Sequence, residues 1–341
     1  MFSLKFFLLI NLISIFFSIS LMGQTKTQDF KIVFPESKII NALYNSIEVL
    51  DIRDDTVGYG LVQKGGLNRT MLIVPETPLA TQLNTLINKY SEGLAAKNSL
   101  LLVLRKCNFL EKTNSVETGY FNFRAGLYTQ KDNSYHLIEF IDTIAIATSA
   151  FDVTGKMLKM GGAVVSDFIL QNLLKRSQES GQAFSLAQFP LIDSLEKSKM
   201  ALFLATTYPD GVYNSYESLQ QLLPNITEIT ANFSKNEKIE SVTYTNKKGK
   251  QNRISPTSVY AIVYQGRLYI STRKNFYPLS KINNDFYFRG RVDDADGKDV
   301  AIASAMFGLL GSLLASSATS EYKIKVDHIT GRFNIIEKTK D

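Results

Sequence analysis

Asp51-Ile52-Arg53-Asp54-Asp55 is the one charge cluster set against the end of a strand-like run, Ser46 to Ile52, that has the makings of a ligand site. Carboxylates gathered in a cleft with perturbed proton affinity are the raw material of hydrolysis. Asp51, Arg53, Asp54 and Asp55 are therefore the candidate ligand-binding residues; an exposed, ion-paired loop is the plainer account of them. Two Ser-x-x-Lys spacings, Ser194 to Lys197 and Ser271 to Lys274, put an amine one helical turn from a hydroxyl. The second falls at a strand end, and the first lacks the Lys-Thr-Gly partner strand of serine acyl-transfer enzymes.

Other groupings stop short of a chemistry. Asp293-Asp294-Ala295-Asp296-Gly297 has the carboxylates and glycine of a calcium loop, but the register puts Val292 at the first ligand position. An acidic helix start, with Asp296 and Asp299 complementing the helix dipole, fits better. Gly58, Gly60, Gly65 and Gly66 lack the Gly-Lys-Ser/Thr ending of a phosphate loop and read as turns. His136 and His328 each lie beside a turn and read as surface residues; no His-Glu-x-x-His or paired-Cys metal spacing occurs. The sequence thus assigns no catalytic residue, no metal and no cofactor.

Composition is ordinary globular usage, with 45% hydrophobic and 21% charged residues over 341 positions, a length that suggests two cores. The net charge of +6 is spread along the chain. Its densest basic group, Lys247-Lys248-Gly249-Lys250 with Arg253, occupies a polar turn and not the aromatic-interleaved stripe that nucleic acid requires. A single Cys excludes an internal disulfide framework. Alternation along Leu101 to Phe109 places the Cys107 thiol with Val103 and Phe109, a buried, inert position.

The basic start Met1 to Lys5 and the apolar run Phe6 to Met22 form a cleavable signal peptide, residues 1–23, and no Cys follows for lipid attachment. Strands are predicted at Phe30 to Phe34, Ser46 to Ile52 and Thr70 to Val74. An amphipathic helix follows from Pro78, with Thr77 as cap and Leu79, Leu83, Leu86, Ile87 and Tyr90 on its stripe. Ser99 to Leu110 and a hairpin, Tyr120 to Thr129 with Tyr135 to Ile146, supply the sheet beneath it, and a second helix is capped by Asp152 or Thr154. These make an N-terminal α+β domain, 24–176, followed by a polar linker, 177–190. The C-terminal α+β domain, 191–341, holds a short helix from Ser215, a hairpin around Gln265-Gly266, and a last hairpin, Tyr322 to Val326 with Phe333 to Ile336. Each domain is predicted as a mainly antiparallel sheet with packed helices.

Residues 300–319 carry no charge, and Ala301, Ser304, Gly308, Gly311 and Ala315 recur at steps of three and four as one small-residue stripe. That stripe is a candidate helix-packing or partner interface. Burial against the domain's own sheet is expected, because the final hairpin must rejoin strands formed before the segment; peripheral membrane association through this helix is the alternative.

The order strand, helix Pro78 to Tyr90, strand Ser99 to Leu110, hairpin Tyr120 to Ile146 and closing helix is similar to the lipopolysaccharide-assembly lipoprotein and transport-auxiliary families of the Gram-negative envelope. The resemblance is one of element order, over less than half the chain, and it implies an accessory role in the envelope. The sequence points to a non-enzymatic exported protein, periplasmic or outer-membrane-associated or secreted, that binds another envelope component. The alternatives are a hydrolase using an unrecognised carboxylate or serine site and a membrane-associated protein using 300–319.

Overall fold

The computed structural model describes residues 26–36, 39–64, 69–92, 98–112, 117–150, 152–177, 181–235, 238–291 and 321–339. The signal segment 1–23, the acidic run 293–297 and the stripe Ala301 to Ala315 lie outside these residues. The protein is sheet-rich with few helices, an α+β arrangement of several sheets.

The first half runs β1 (Thr27–Phe30), β2 (Ile39–Ile40), β3 (Tyr44–Asp51), β4 (Gly60–Lys64), β5 (Arg69–Pro75), α1 (Leu79–Tyr90), β6 (Ser91–Glu92), β7 (Asn98–Lys112), β8 (Glu117–Lys131), β9 (Ser134–Ser149), α2 (Thr154–Leu170) and β10 (Ala183–Phe184). Its main sheet is ordered β1-β5-β4-β7-β8-β9-β10, with β3 also on β7. The sheet is mixed, because β1 with β5, and β3 and β4 with β7, pair in parallel.

The long hairpin β8–β9 turns through Asp132 and Asn133, both at positive φ (49° and 63°), the tight turn that these short polar side chains tolerate. Alternation along β8 then sorts its side chains. Phe121, Phe123, Ala125 and Leu127 join the core beneath α1 and α2, while Arg124 and Tyr128 face the other way. Pro78, not Thr77, precedes the first turn of α1, and the Asp152 carboxylate accepts from Thr154 N at 2.8 Å at the start of α2.

Residues 177–190, read above as a linker, are in part structural. Ala183–Phe184 pairs with β9, and Phe189 is fully buried among Leu101, Val103, Tyr128 and Phe184. The polar stretch hides two apolar side chains, Phe184 and Phe189, that together with Ile192 just beyond it cover the sheet's second face.

The second half contains α3 (Ile192–Lys197), α4 (Ala201–Leu204), β11 (Gly211–Tyr213), α5 (Tyr216–Gln220), β12 (Ile229–Phe233), β13 (Ile239–Thr245), β14 (Gln251–Arg253), β15 (Ala261–Tyr264), β16 (Arg267–Ser271), β17 (Phe276–Pro278), β18 (Ser280–Ile282), β19 (Asp285–Arg291), β20 (Glu321–Val326) and β21 (Phe333–Lys338). Ser215 caps α5 by accepting from Ser218 N. The strands form three antiparallel sheets, β11-β15-β16-β17, β12-β13-β14 and β18-β19-β20-β21, with most of their aromatic residues in two cores between them. β20 pairs with β19 from Phe286↔Val326 to Arg291↔Glu321, so the chain returns to the sheet it left before residue 292. Among the described residues no helix is long and apolar enough to cross a membrane.

Candidate functional site

The predicted cluster at 51–55 occupies a break in the main sheet. β3 runs beside β7 as far as Asp51↔Leu104, and β4 takes up the same edge only at Gly60↔Phe109. Gly60 can join because it lacks a side chain: at φ +108° an added Cβ would sit 2.1 Å from the Phe109 carbonyl oxygen. Arg53 fills the gap. Its Nη1 donates to the carbonyls of Gly58 (2.7 Å) and Cys107 (3.3 Å), while Nε and Nη2 grip Asp51 at 2.9 and 2.7 Å. The guanidinium also lies 4.5 Å from the centroid of the Tyr59 ring. Asp55 accepts from Val57 N at 2.9 Å, and Asp54 lies toward Lys325, whose charge it helps to hold after burial and the Asp285 bond have acted. The three carboxylates therefore have three separate partners and do not converge on one reacting atom. Arg53 and Asp51 mend a sheet edge.

The convergence lies elsewhere, on the second face of the sheet. A bulge between Leu104 and Lys106 breaks the alternation of β7. Leu104 and Cys107 both face the helices, and the two consecutive cations Arg105 and Lys106 both face away from them. Cys107 thus packs with Phe109 but not with Val103, which lies on the opposite face. Burial pushes its thiol up to about 12, against the opposing pull of Arg53.

Arg105 holds Glu196 by two bonds of 2.7 Å and Asp193 by one of 2.6 Å. Lys106 reaches Asp327 at 2.9 Å, and Arg124 bridges Asp327 (2.9 and 3.0 Å) and Asp142 (2.7 Å), its cross-strand neighbour on β9. His328, read from sequence as a surface residue, is buried and bonds Glu196 through Nε2 at 2.8 Å. A turn can be buried when another part of the chain covers it, and here α3 and β7 do so.

Burial would raise the Glu196 carboxyl, but bonds from His328 and Arg105 outweigh it and hold the group at about 2. Asp327 is likewise held far below the usual carboxylate range, the charges of Lys106 and Arg124 overcoming burial. Asp193, Glu196 and His328 present one ligand atom each within 4.8 Å of one another, a metal-like grouping absent from any sequence motif. The Arg105 guanidinium is bonded to both carboxylates and offsets part of their charge. Three cations, four carboxylates and a histidine therefore clamp β7 and β8 to α3 and the 327–331 turn. Charges that pair within their own chain in this way act as a fastener.

In each Ser-x-x-Lys spacing one member is engaged by another part of the chain. The Lys197 amine is bonded to Asp285 at 2.7 Å, and the Ser271 hydroxyl donates to the Pro256 carbonyl.

Open chemistry is found in a cavity of about 920 Å³ between β12–β13, β15–β17 and β19. Among the described residues its walls carry the cations Lys238, Arg267, Lys281, Arg289 and Arg291 and one carboxylate, Glu321. Lys281 is engaged with the Phe203 carbonyl; Lys238, Arg267, Arg289 and Arg291 are solvent-exposed. Partly exposed rings border them: Tyr208, Phe233, Tyr264 and Tyr277, with Phe233 packed 6.0 Å from Tyr264. No sequence motif marked this cleft, since its residues come from eight strands and the loops between them and only the fold assembles them.

No family model matches the chain, and no curated protein matches it. Among solved structures it is similar to a Xanthomonas campestris protein of the family described as DUF330, over 43% of this chain and 95% of that one, at 7% identity and a TM-score of 0.30. An uncharacterised protein from Enterobacter aligns over 43% of this chain and 98% of its own, at 14% identity and a TM-score of 0.22. Both organisms are Gram-negative bacteria, and neither protein is described as a lipopolysaccharide-assembly component.

Proposed function

We propose that this chain is an exported, two-domain, non-enzymatic protein of the bacterial envelope that binds another envelope component in the cleft bordered by Arg267, Arg289 and Arg291. Export rests on the basic start and apolar run of residues 1–23. The observation that carries the binding role is the contrast between two charge sets. Arg105, Lys106 and Arg124 are bonded to carboxylates of their own chain, whereas, among the described residues, the cleft gathers five cations around one carboxylate and leaves most of them open to solvent. Like charges crowded on one concave surface repel one another, and a bound anion relieves that repulsion. Export is compatible with a periplasmic, outer-membrane-associated or secreted protein, and the envelope supplies anionic components in quantity.

Fractionation of native-host cells, with the mature N-terminus sequenced, tests this reading. A chain beginning near residue 24 in the periplasmic or envelope fraction supports it. An unprocessed chain in the cytosol sinks it.

A further inference from the structure

Resting on that reading of the cleft, we propose that its ligand is an acidic saccharide, a short glycan whose rings lie against Tyr264, Phe233 and Tyr277 and whose carboxylate or phosphate groups meet Arg267, Arg289 and Arg291. The arginine spacing argues for more than one anionic group. Arg289 and Arg291 stand two positions apart on β19, about 7 Å by strand rise, further than one carboxylate or phosphate spans. Arg267 approaches from a different strand, β16.

Each guanidinium presents a planar fork that matches a carboxylate or phosphate by two parallel bonds. Between them the walls are aromatic, and a pyranose presents an apolar C–H face of ring size to such a wall. The cavity of about 920 Å³ falls within the range of small-ligand sites, suited to a few rings and not to a polymer strand running through. A bare inorganic anion would leave the rings uncontacted, and a neutral sugar would leave the arginines unpaired.

The test is isothermal titration calorimetry on the full mature chain with trigalacturonate, beside maltotriose, inorganic phosphate, phosphatidylglycerol vesicles and a short single-stranded oligonucleotide. Trigalacturonate should bind with an affinity that falls as salt rises, and maltotriose should bind at least tenfold more weakly. The double variant R289Q/R291Q should lose about tenfold or more in affinity, a charge-assisted bond lost at each site. Both side chains are exposed, so its thermal melt should match the parent's. F233A should weaken trigalacturonate but leave any phosphate binding unchanged.

Equal binding of the acidic and neutral trisaccharides overturns the proposal, as does binding that R289Q/R291Q leaves intact. Preference for vesicles or oligonucleotide assigns the cleft to a lipid headgroup or nucleic acid instead. A chain that is processed and envelope-associated yet binds no acidic saccharide fails this inference alone; a cytosolic, unprocessed chain fails the broader reading.

Discussion

Asp327 is the residue on which the two halves of the chain turn, and replacing it with Asn should cost about 3–5 kcal/mol, the usual penalty for removing one partner of a buried ion pair. Its side chain is only 5% exposed. It accepts from Lys106 at 2.9 Å, from Arg124 at 2.9 and 3.0 Å, and from the backbone of Ile329 and Thr330 at 3.1 and 3.0 Å. An asparagine keeps a carbonyl for the turn but brings an NH₂ against the buried Arg124 and the partly buried Lys106, with Asp142 left to balance both. Arg124→Met should cost a similar amount by leaving Asp142 and Asp327 to share Lys106.

If the two residues act mainly on each other, the double variant should be less destabilised than the sum of the singles by about 2 kcal/mol. Urea unfolding followed by circular dichroism and tyrosine fluorescence measures all three; the chain contains no Trp to confuse the signal. Additivity within about 0.5 kcal/mol, or a single-variant cost under about 1 kcal/mol, refutes the clamp.

Two further outcomes follow from the same geometry. Because the folded state holds Glu196 at about 2 against an ordinary 4.5, its contribution is complete above pH 4.5 and is lost as the pH falls toward 2. By linkage this amounts to about 3 kcal/mol; Asp327 acts with the same sign, and E196Q should show a shallower acid loss in urea titrations at pH 7, 4.5 and 3. An E196Q profile parallel to the parent's would remove Glu196 from the argument. Cys107, buried and pushed up to about 12 from 9.0, should react with a thiol reagent at pH 8 about a thousandfold more slowly than a free thiol, and at full rate in urea. Native labelling within tenfold of a free thiol would contradict its placement under α1 and α2.

The sequence was legible where local chemistry decides structure. The stripe of α1, the hairpin turns at Asp132-Asn133 and Gln265-Gly266, and the rejoining of the last hairpin to the strand before residue 292 were all readable, because periodicity and turn residues act over a few positions. The charges of Asp51 and Arg53 were visible, but not that they close a gap between β3 and β4, since that gap exists only when both strands share one edge of β7.

The bulge that turns Arg105 and Lys106 to one face, the burial of His328 and the use of 183–190 as a sheet cover were decided by tertiary structure. Each depends on partners about 50 to 220 positions away, as with Phe184 and Tyr135 or Lys106 and Asp327, and the charged contacts also on burial that makes an unpaired charge too costly to leave. The sequence determined which segments pair locally. Which charges would be paired inside and which would be left open to solvent in the cleft only the folded chain decided, because desolvation is a property of what packs around a group and not of the group itself.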